Sequence, residues 1–472
     1  LKKKKPIVPL ENVRMTGMSD DGKAVGRTDD GKVVFVEKAV AGDVVDVRPT
    51  KQKKGYAEGY PLAFKELSAD RTVPFCRHFG VCGGCKWQHL HYDAQLAHKE
   101  DIVHNALFRI GKQQAREVLP ILPAQRTQYY RNKLEYTFSN KRWLEPDEMQ
   151  RGDSNLADVL GYHRPSSFDK IVEIAHCHLQ PDPSNSLRDK FAALAREQAL
   201  SFYDLREKKG FLRSLMLRTS TLGQTMAVVC FSTHEQAAID GYMAAAAERC
   251  PELNSLYYCV NTKVNDYMFD LEMHLHSGQP FIEERLGDVR FKIGPKSFFQ
   301  TNPEQAKVLY DVVAAFAGLE GTENVYDLYT GTGSIALYLA KHCRQVVGIE
   351  EVAEAIADAN MNKDLNKMEN AVFYSGDVKD VLTGEFAARH GRPDVVVTDP
   401  PRAGMHPKAI AILLELEAPK IVYVSCKPST QARDIQLLGE KYELAKIRPV
   451  DMFPHSPHIE NVALLLLKRQ AE

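Results

Sequence analysis

The last third of the chain restricts the fold most. From residue 324 onward, short apolar runs at 324–329, 345–350, 372–375, 395–398 and 421–425 alternate with helix-like stretches such as 334–343 and 352–365. Strands separated by helix-length connections must run parallel, so the pattern predicts a doubly wound α/β sheet with helices on both faces. In such a sheet, ligands bind in the crevice outside the carboxyl ends of the strands. The residues that close each run are therefore the first candidates for function.

The first run leads into Asp327-Leu-Tyr329-Thr-Gly331-Thr-Gly333. Its glycines suit a tight turn that a ligand can approach closely. The turn lacks the third glycine and the spacing of a dinucleotide fingerprint. Glu350 closes the second run, 19 residues after Gly331, where a carboxylate can take both hydroxyls of a ribose. Gly376-Asp377 closes the third, where a carboxylate can accept an adenine amino group, and Asp399-Pro-Pro-Arg402 closes the fourth. Four such ends in order form a Rossmann-like pattern for S-adenosylmethionine. Two further residues suggest chemistry. Cys426 directly follows the apolar run 421–425, and the adjacent Lys427 is a cation that could favour its thiolate. Glu460 ends the segment Asp451-Met-Phe-Pro-His-Ser-Pro-His458-Ile-Glu460 and offers a carboxylate as proton acceptor.

The front of the chain reads differently. Within residues 7–66, strand-like runs at 13–18, 32–37 and 44–48 are separated by Asp21-Gly22, Asp30-Gly31 and Gly42-Asp43, which predicts a small OB-type barrel. Residues 1–66 carry 14 Lys and Arg against 10 Asp and Glu, although the whole chain has a net charge of −1. The basic run Lys51–Lys54 is either a nucleic-acid contact or a solvated hairpin tip. Residues 95–126 read as helical, with an apolar face over 94–109, and residues 127–295 as a mixed α+β middle domain. No apolar run approaches the ~20 residues a membrane span needs. The lysine run at 2–5 has no apolar segment after it, so no secretory signal is expected.

Nine cysteines, three of them within ten residues, fit a reducing compartment and a metal site better than a disulfide framework. Cys76, Cys82 and Cys85 share a glycine-rich loop, and Cys177 follows in Ala175-His-Cys-His178. Four thiolates at this spacing serve either a zinc ion or a [4Fe–4S] cluster. The aromatic residues Phe75, Phe79, Trp87 and Tyr92 near this loop could stack on bases, although buried aromatics are commoner.

Taken together, the motifs Ser297-Phe-Phe-Gln300-x-Asn302, Asp327-Leu-Tyr-x-Gly-x-Gly333, Asp399-Pro-Pro-Arg-x-Gly404, Ser425-Cys-x-Pro and Phe453-Pro-x-x-x-His-x-Glu460 resemble those of the RNA 5-methyluridine (uracil-5) methyltransferases. The front barrel resembles a TRAM domain, and the cysteine set resembles that of the family's 23S ribosomal RNA branch. The resemblance implies transfer of a methyl group from S-adenosylmethionine to carbon 5 of a uridine in 23S rRNA; a transfer-RNA enzyme or a non-catalytic RNA-binding assembly factor are the alternatives. It implies Cys426 as nucleophile, Glu460 as base, and Gln300, Tyr329, Glu350 and Asp399 as S-adenosylmethionine contacts, with Asp399 also serving the uracil. It favours a structural [4Fe–4S] cluster over zinc on Cys76, Cys82, Cys85 and Cys177. The expected division is 1–66 as the TRAM-like barrel, 67–94 with 127–295 as the middle domain, and 95–126 with 296–472 as the methyltransferase domain. A cytoplasmic monomer is expected, with RNA as partner and neither membrane nor protein partner. Two departures stand out: Thr330 where many members have cysteine, and Lys427 where asparagine is usual.

Overall fold

The computed structural model describes residues 8–165 and 167–468; the lysine run at 2–5 lies outside them. Five strands, β1 (Leu10–Met18), β2 (Ala24–Arg27), β3 (Val33–Val36), β4 (Val44–Gln52) and β5 (Tyr56–Glu66), close into a barrel of order β1-β2-β3-β5-β4. Alternate residues such as Val13, Met15, Val34, Val36, Val45 and Val47 fill its interior. At the β4–β5 tip, Lys51 pairs with Glu58 and lies over the Tyr56 ring, while Lys53 and Lys54 are exposed.

Helix α1 (Tyr92–His104) follows and winds on through a wider π turn to Ile110. Residues 95–126 were expected to be helical throughout, but helix stops there. The chain becomes extended, and β6 (Glu117–Val118) joins β21 (Tyr442–Val450) in parallel. The physical reason is Gly111 followed by Pro120 and Pro123, which a helix interior rejects. The freed Leu119 and Leu122 amides instead donate to Ile447 and Pro449 carbonyls.

A seven-stranded sheet fills the middle of the chain. Its strands are β7 (Lys133–Lys141), β8 (Leu156–Arg164), β9 (Ser167–Glu173), β10 (Leu212–Thr219), β11 (Thr225–Phe231), β12 (Ser255–Val260) and β13 (His274–Gly278). Their order is β13-β12-β11-β10-β7-β8-β9, antiparallel except for the β11–β12 pair. Helix α2 (Pro146–Arg151) caps the β7–β8 connection, and α3 (Ser184–Glu197) and α4 (Gln236–Arg249) pack together over one face. A hairpin, β14 (Ile282–Leu286) and β15 (Val289–Ile293), and helix α5 (Pro303–Ala317) lead into the last sheet.

That sheet comprises β16 (Asn324–Leu328), β17 (Gln345–Glu350), β18 (Ala371–Ser375), β19 (Val395–Thr398), β20 (Lys420–Ser425), β21 (Tyr442–Val450) and β22 (Glu460–Leu467), with β6 on its edge. The order is β18-β17-β16-β19-β20-β22-β21-β6. Seven of its eight strands run in one direction, and β22 returns antiparallel between β20 and β21. The intervening helices are α6 (Ser334–Ala340), α7 (Ala353–Leu365), α8 (Val378–Val381), α9 (Gly384–His390), α10 (Pro407–Leu416) and α11 (Pro428–Leu438). Side chains alternate between two cores: Val325, Val346 and Val395 face α5, α6 and α7, whereas Tyr326, Val347 and Val396 face α8 to α11 and α1. The strand order reverses between β16 and β19, so a crevice opens at their carboxyl ends.

Trp87 ties the front of the chain to this sheet. It is fully buried in the core on the α1 side, and its indole donates to the Gly22 carbonyl of the barrel. Trp87→Ala should lower the unfolding free energy by about 3–5 kcal/mol, read as an earlier midpoint in denaturant.

Candidate functional site

The crevice is built by the turn after β16. Tyr329, Gly331 and Gly333 all have positive φ (62°, 55° and 75°), so the backbone curls around the strand end. The two glycines have different jobs. A Cβ on Gly331 would meet nothing within 4 Å, which leaves that side open to a ligand, whereas one on Gly333 would strike Phe373 at 2.9 Å. Glu350 locks the turn: its Oε2 accepts from Gly331 N at 3.1 Å and its Oε1 from Val352 N at 3.0 Å. Asp377 caps α8 through Lys379 N at 3.1 Å and is ion-paired with the Lys379 ammonium. Burial and the Asp377 charge push the Tyr329 phenol up to about 12. Gln300 is half-buried, and its carbonyl accepts from Asn132 Nδ2 at 3.1 Å.

Acidic groups crowd the floor. Asp327 is buried; its carboxyl accepts from Thr330 Oγ1 at 2.5 Å and Ala336 N at 3.0 Å, yet burial still lifts it to about 7. Thr330 thus has a definite partner. Asp399 follows β19, and its amide donates to the Leu328 carbonyl at 3.3 Å. Burial and the Asp327 charge raise its carboxyl.

Sheet register brings Cys426 and Glu460 to the same edge. Ser425 at the end of β20 pairs with Asn461 on β22, so the residue after one strand lies beside the residue opening the other. Cys426 is half-buried and Glu460 is 5% exposed. Burial raises the Cys426 thiol, the Glu460 and Asp399 charges add to this, and a hydrogen bond from Arg402 opposes it. Glu460 is likewise driven well above the usual carboxylate range by burial and by Asp399, with Arg402 again opposing. The cation facing the thiol is therefore Arg402 and not Lys427, which is exposed and uses its backbone amide to donate to Ser425 Oγ at 3.1 Å. Arg402 also donates to His458 Nδ1 at 3.0 Å. Its place in Asp-Pro-Pro-Arg was legible; its reach across to the thiol was not.

Cys76, Cys82, Cys85 and Cys177 line one cavity of about 190 Å³, together with Tyr162 and Gln88. Gly84 N donates to Cys82 Sγ at 3.4 Å, and the Gln88 side chain bonds Cys85. Without a counter-charge, burial pushes the Cys82 and Cys85 thiols up to about 12. Among the described residues, no group of three or more His, Cys, Asp or Glu meets the requirements for holding a metal ion. Of the nearby aromatics, Trp87 is buried and Tyr92 donates to Asp451, while the half-buried Phe79 packs on His89 and Phe75 on the His178 and His455 rings.

A family model described as tRNA (Uracil-5-)-methyltransferase matches residues 272–469, and a TRAM domain model matches residues 11–62. The chain is 49% identical over 455 residues to a protein of Bacteroides thetaiotaomicron described as an uncharacterized RNA methyltransferase, covering 96% of this chain and 100% of that one. A Porphyromonas gingivalis protein of the same description is 48% identical, with 96% and 99% covered. Among solved structures, the Pyrococcus abyssi tRNA (uracil-54, C5)-methyltransferase in complex with S-adenosyl-L-homocysteine aligns at 28% identity and TM-score 0.75, covering 97% of this chain and 99% of that one.

Because the Cys426 thiol is raised, its thiolate appears only as pH climbs past the ordinary thiol range, and removing Arg402 should move that rise higher still. Arg402→Met should slow alkylation of Cys426 at fixed pH by about tenfold for each pKa unit gained. Peptide mass spectrometry of the Cys426 peptide after timed alkylation measures this.

Proposed function

The chain belongs to the RNA uracil-5-methyltransferase family and carries a TRAM domain at its front, and we propose that it methylates a uridine of 23S rRNA through a covalent bond between Cys426 and the uracil ring. Its activity is S-adenosylmethionine-dependent methylation of carbon 5 of uracil in RNA. The observation that carries the proposal is the meeting of Cys426, Glu460 and Arg402 at one strand edge beside the crevice.

S-adenosylmethionine, when bound, supplies the methyl group on its sulfonium. Gly331, Gly333, Tyr329, Glu350, Asp377 and Gln300 would hold it at the strand ends; Glu350 and Asp377 already spend part of their hydrogen-bonding capacity on the turn and on Lys379. Carbon 5 of uracil is a weak nucleophile. A Cys426 thiolate adding at carbon 6 makes carbon 5 enolate-like and reactive. Arg402 favours that thiolate. After transfer, Glu460 takes the carbon-5 proton, the ring double bond re-forms, and Cys426 leaves. Asp399 lies beside both groups and is held ready to hydrogen-bond the ring. A base buried in a duplex cannot reach this edge, so the uridine must be flipped or lie in a loop.

The reading of Cys76, Cys82, Cys85 and Cys177 as holders of a [4Fe–4S] cluster is supported by their lining one cavity of about 190 Å³. The buried thiols need positive charge to ionise, which iron supplies. We assign the cluster a structural role and divide the chain into a barrel (1–66), a middle domain (67–94, 127–295) and a methyltransferase domain (95–126, 296–472). The nine cysteines form no disulfide, which suits a reducing compartment such as the cytoplasm; no helix among the described residues is long and apolar enough to cross a membrane.

A second reading, a tRNA target, is favoured by the substrate of the Pyrococcus abyssi enzyme, whose alignment spans the barrel as well. Mapping of methylated uridines by mass spectrometry, in 23S rRNA and tRNA from cells with and without the protein, decides: loss of one rRNA site supports the proposal, and loss of a tRNA site replaces it. Cys426→Ala should form no adduct with 5-fluorouridine RNA, whereas Glu460→Gln should accumulate one on ordinary uridine RNA. Methylation by Cys426→Ala would overturn the covalent route. Cys177→Ser should lower bound iron and acid-labile sulfide together in anaerobically purified protein.

A further inference from the structure

The segment from Asp451 to Ile459 connects β21 to β22, and Val450 and Glu460 are the paired residues at its base. His455 has a positive φ of 65°. Hydrogen bonds within the loop, such as Ser456 Oγ to the Phe453 carbonyl, are joined by bonds from Asn302, Tyr130 and Trp87 to the Met452, Pro454 and His455 carbonyls, and α1 holds the Asp451 side chain. Tyr92, Gln95 and Lys99, spaced i, i+3 and i+7, share one face of that helix. Lys99 Nζ donates to Asp451 Oδ1 at 2.5 Å and to the Phe453 carbonyl at 3.0 Å. Tyr92 Oη donates to Asp451 Oδ2 at 2.8 Å. Gln95 Oε1 accepts from His455 N at 2.8 Å.

Lys99 and Asp451 are both 0% exposed. Stability alone does not call for such a pair, because well-packed apolar residues often do as well or better. What an apolar pair cannot do is fix two groups of a loop at one point. Asp451 Oδ1 also accepts from Phe453 N at 3.0 Å, so a single ammonium sets both ends of the loop's first turn.

We propose that Lys99, acting through Asp451, is a positioning residue for the proton-abstraction step, holding the 451–459 loop so that Glu460 faces carbon 5 of a uracil bonded to Cys426. In that step the carbon-5–hydrogen bond breaks and the proton passes to a Glu460 carboxylate oxygen. The electron pair left on carbon 5 forms the 5,6 double bond, and the carbon-6–sulfur bond breaks with Cys426 leaving as thiolate. The inference rests on the assignment of Glu460 as base.

The test compares wild type, Glu460→Gln, the double variant Lys99→Met/Asp451→Asn, which leaves no unpaired buried charge, and the milder Tyr92→Phe. Three quantities are read: turnover, denaturation-resistant adduct on an unmodified transcript of the mapped substrate, and trapping rate on the same RNA containing 5-fluorouridine. A misplaced base slows only its own step, so the double variant should lose about 10–100-fold in turnover and accumulate adduct. Its trapping rate should stay within about threefold of wild type. Tyr92→Phe should show the same signature more weakly, and it decides the matter if the double variant does not fold. If turnover and trapping fall together, or no adduct builds up while Glu460→Gln accumulates it, Lys99 is merely structural and the inference falls. If Glu460→Gln itself accumulates none, the base assignment fails, and the inference fails with it.

Discussion

The antiparallel return of β22 between β20 and β21 is the constraint on which the site depends. A wholly parallel sheet would carry Cys426 to its carboxyl edge and leave the start of β22 at the opposite edge. Because β22 runs back, its first residue, Glu460, emerges where β20 ends. Backbone hydrogen bonding thereby joins residues 34 positions apart, at an edge that the β16 turn and Asp399 already share. A one-residue slip would turn Glu460 to the other face of the sheet. The buried runs Val422–Val424 and Val462–Leu465 resist that slip by packing on both sides.

The second organising fact is electrostatic. Asp327, Asp399, Glu460 and Cys426 crowd together, and each is pushed toward its neutral form, chiefly by burial. Arg402 is the cation acting on both Cys426 and Glu460. Burial thus favours the neutral forms of these groups, and a cation placed among them favours the charged forms.

Much of this was legible because it is periodic or local. The β/α alternation, the glycine turn, the carboxylates at the strand ends and the barrel's turn signals all lie within short windows of sequence. The barrel and the methyltransferase fold followed from them. What escaped were long-range partners. Lys427 adjoins Cys426 in sequence and was expected to favour the thiolate; Arg402 does so from another loop. The partners of the aromatics near the cysteines, Gly22 for Trp87 and Asp451 for Tyr92, also come from distant parts of the chain. Residues 111–126 carried a helix-like expectation that two prolines and a glycine overrule. The buried face of α1 is polar at Gln95 and Lys99, whose partners lie in the loop beyond β21 and, for Gln95, also at the Trp87 and Leu90 carbonyls.

The most direct test of the central claim is identification of the trapped residue. RNA containing 5-fluorouridine, incubated with the protein and S-adenosylmethionine, should yield after tryptic and nuclease digestion a nucleotide-bearing peptide spanning residues 421–433. The mass should place the modified pyrimidine on Cys426. A stable adduct on any other residue, or efficient methylation with no adduct on that peptide, would contradict the account.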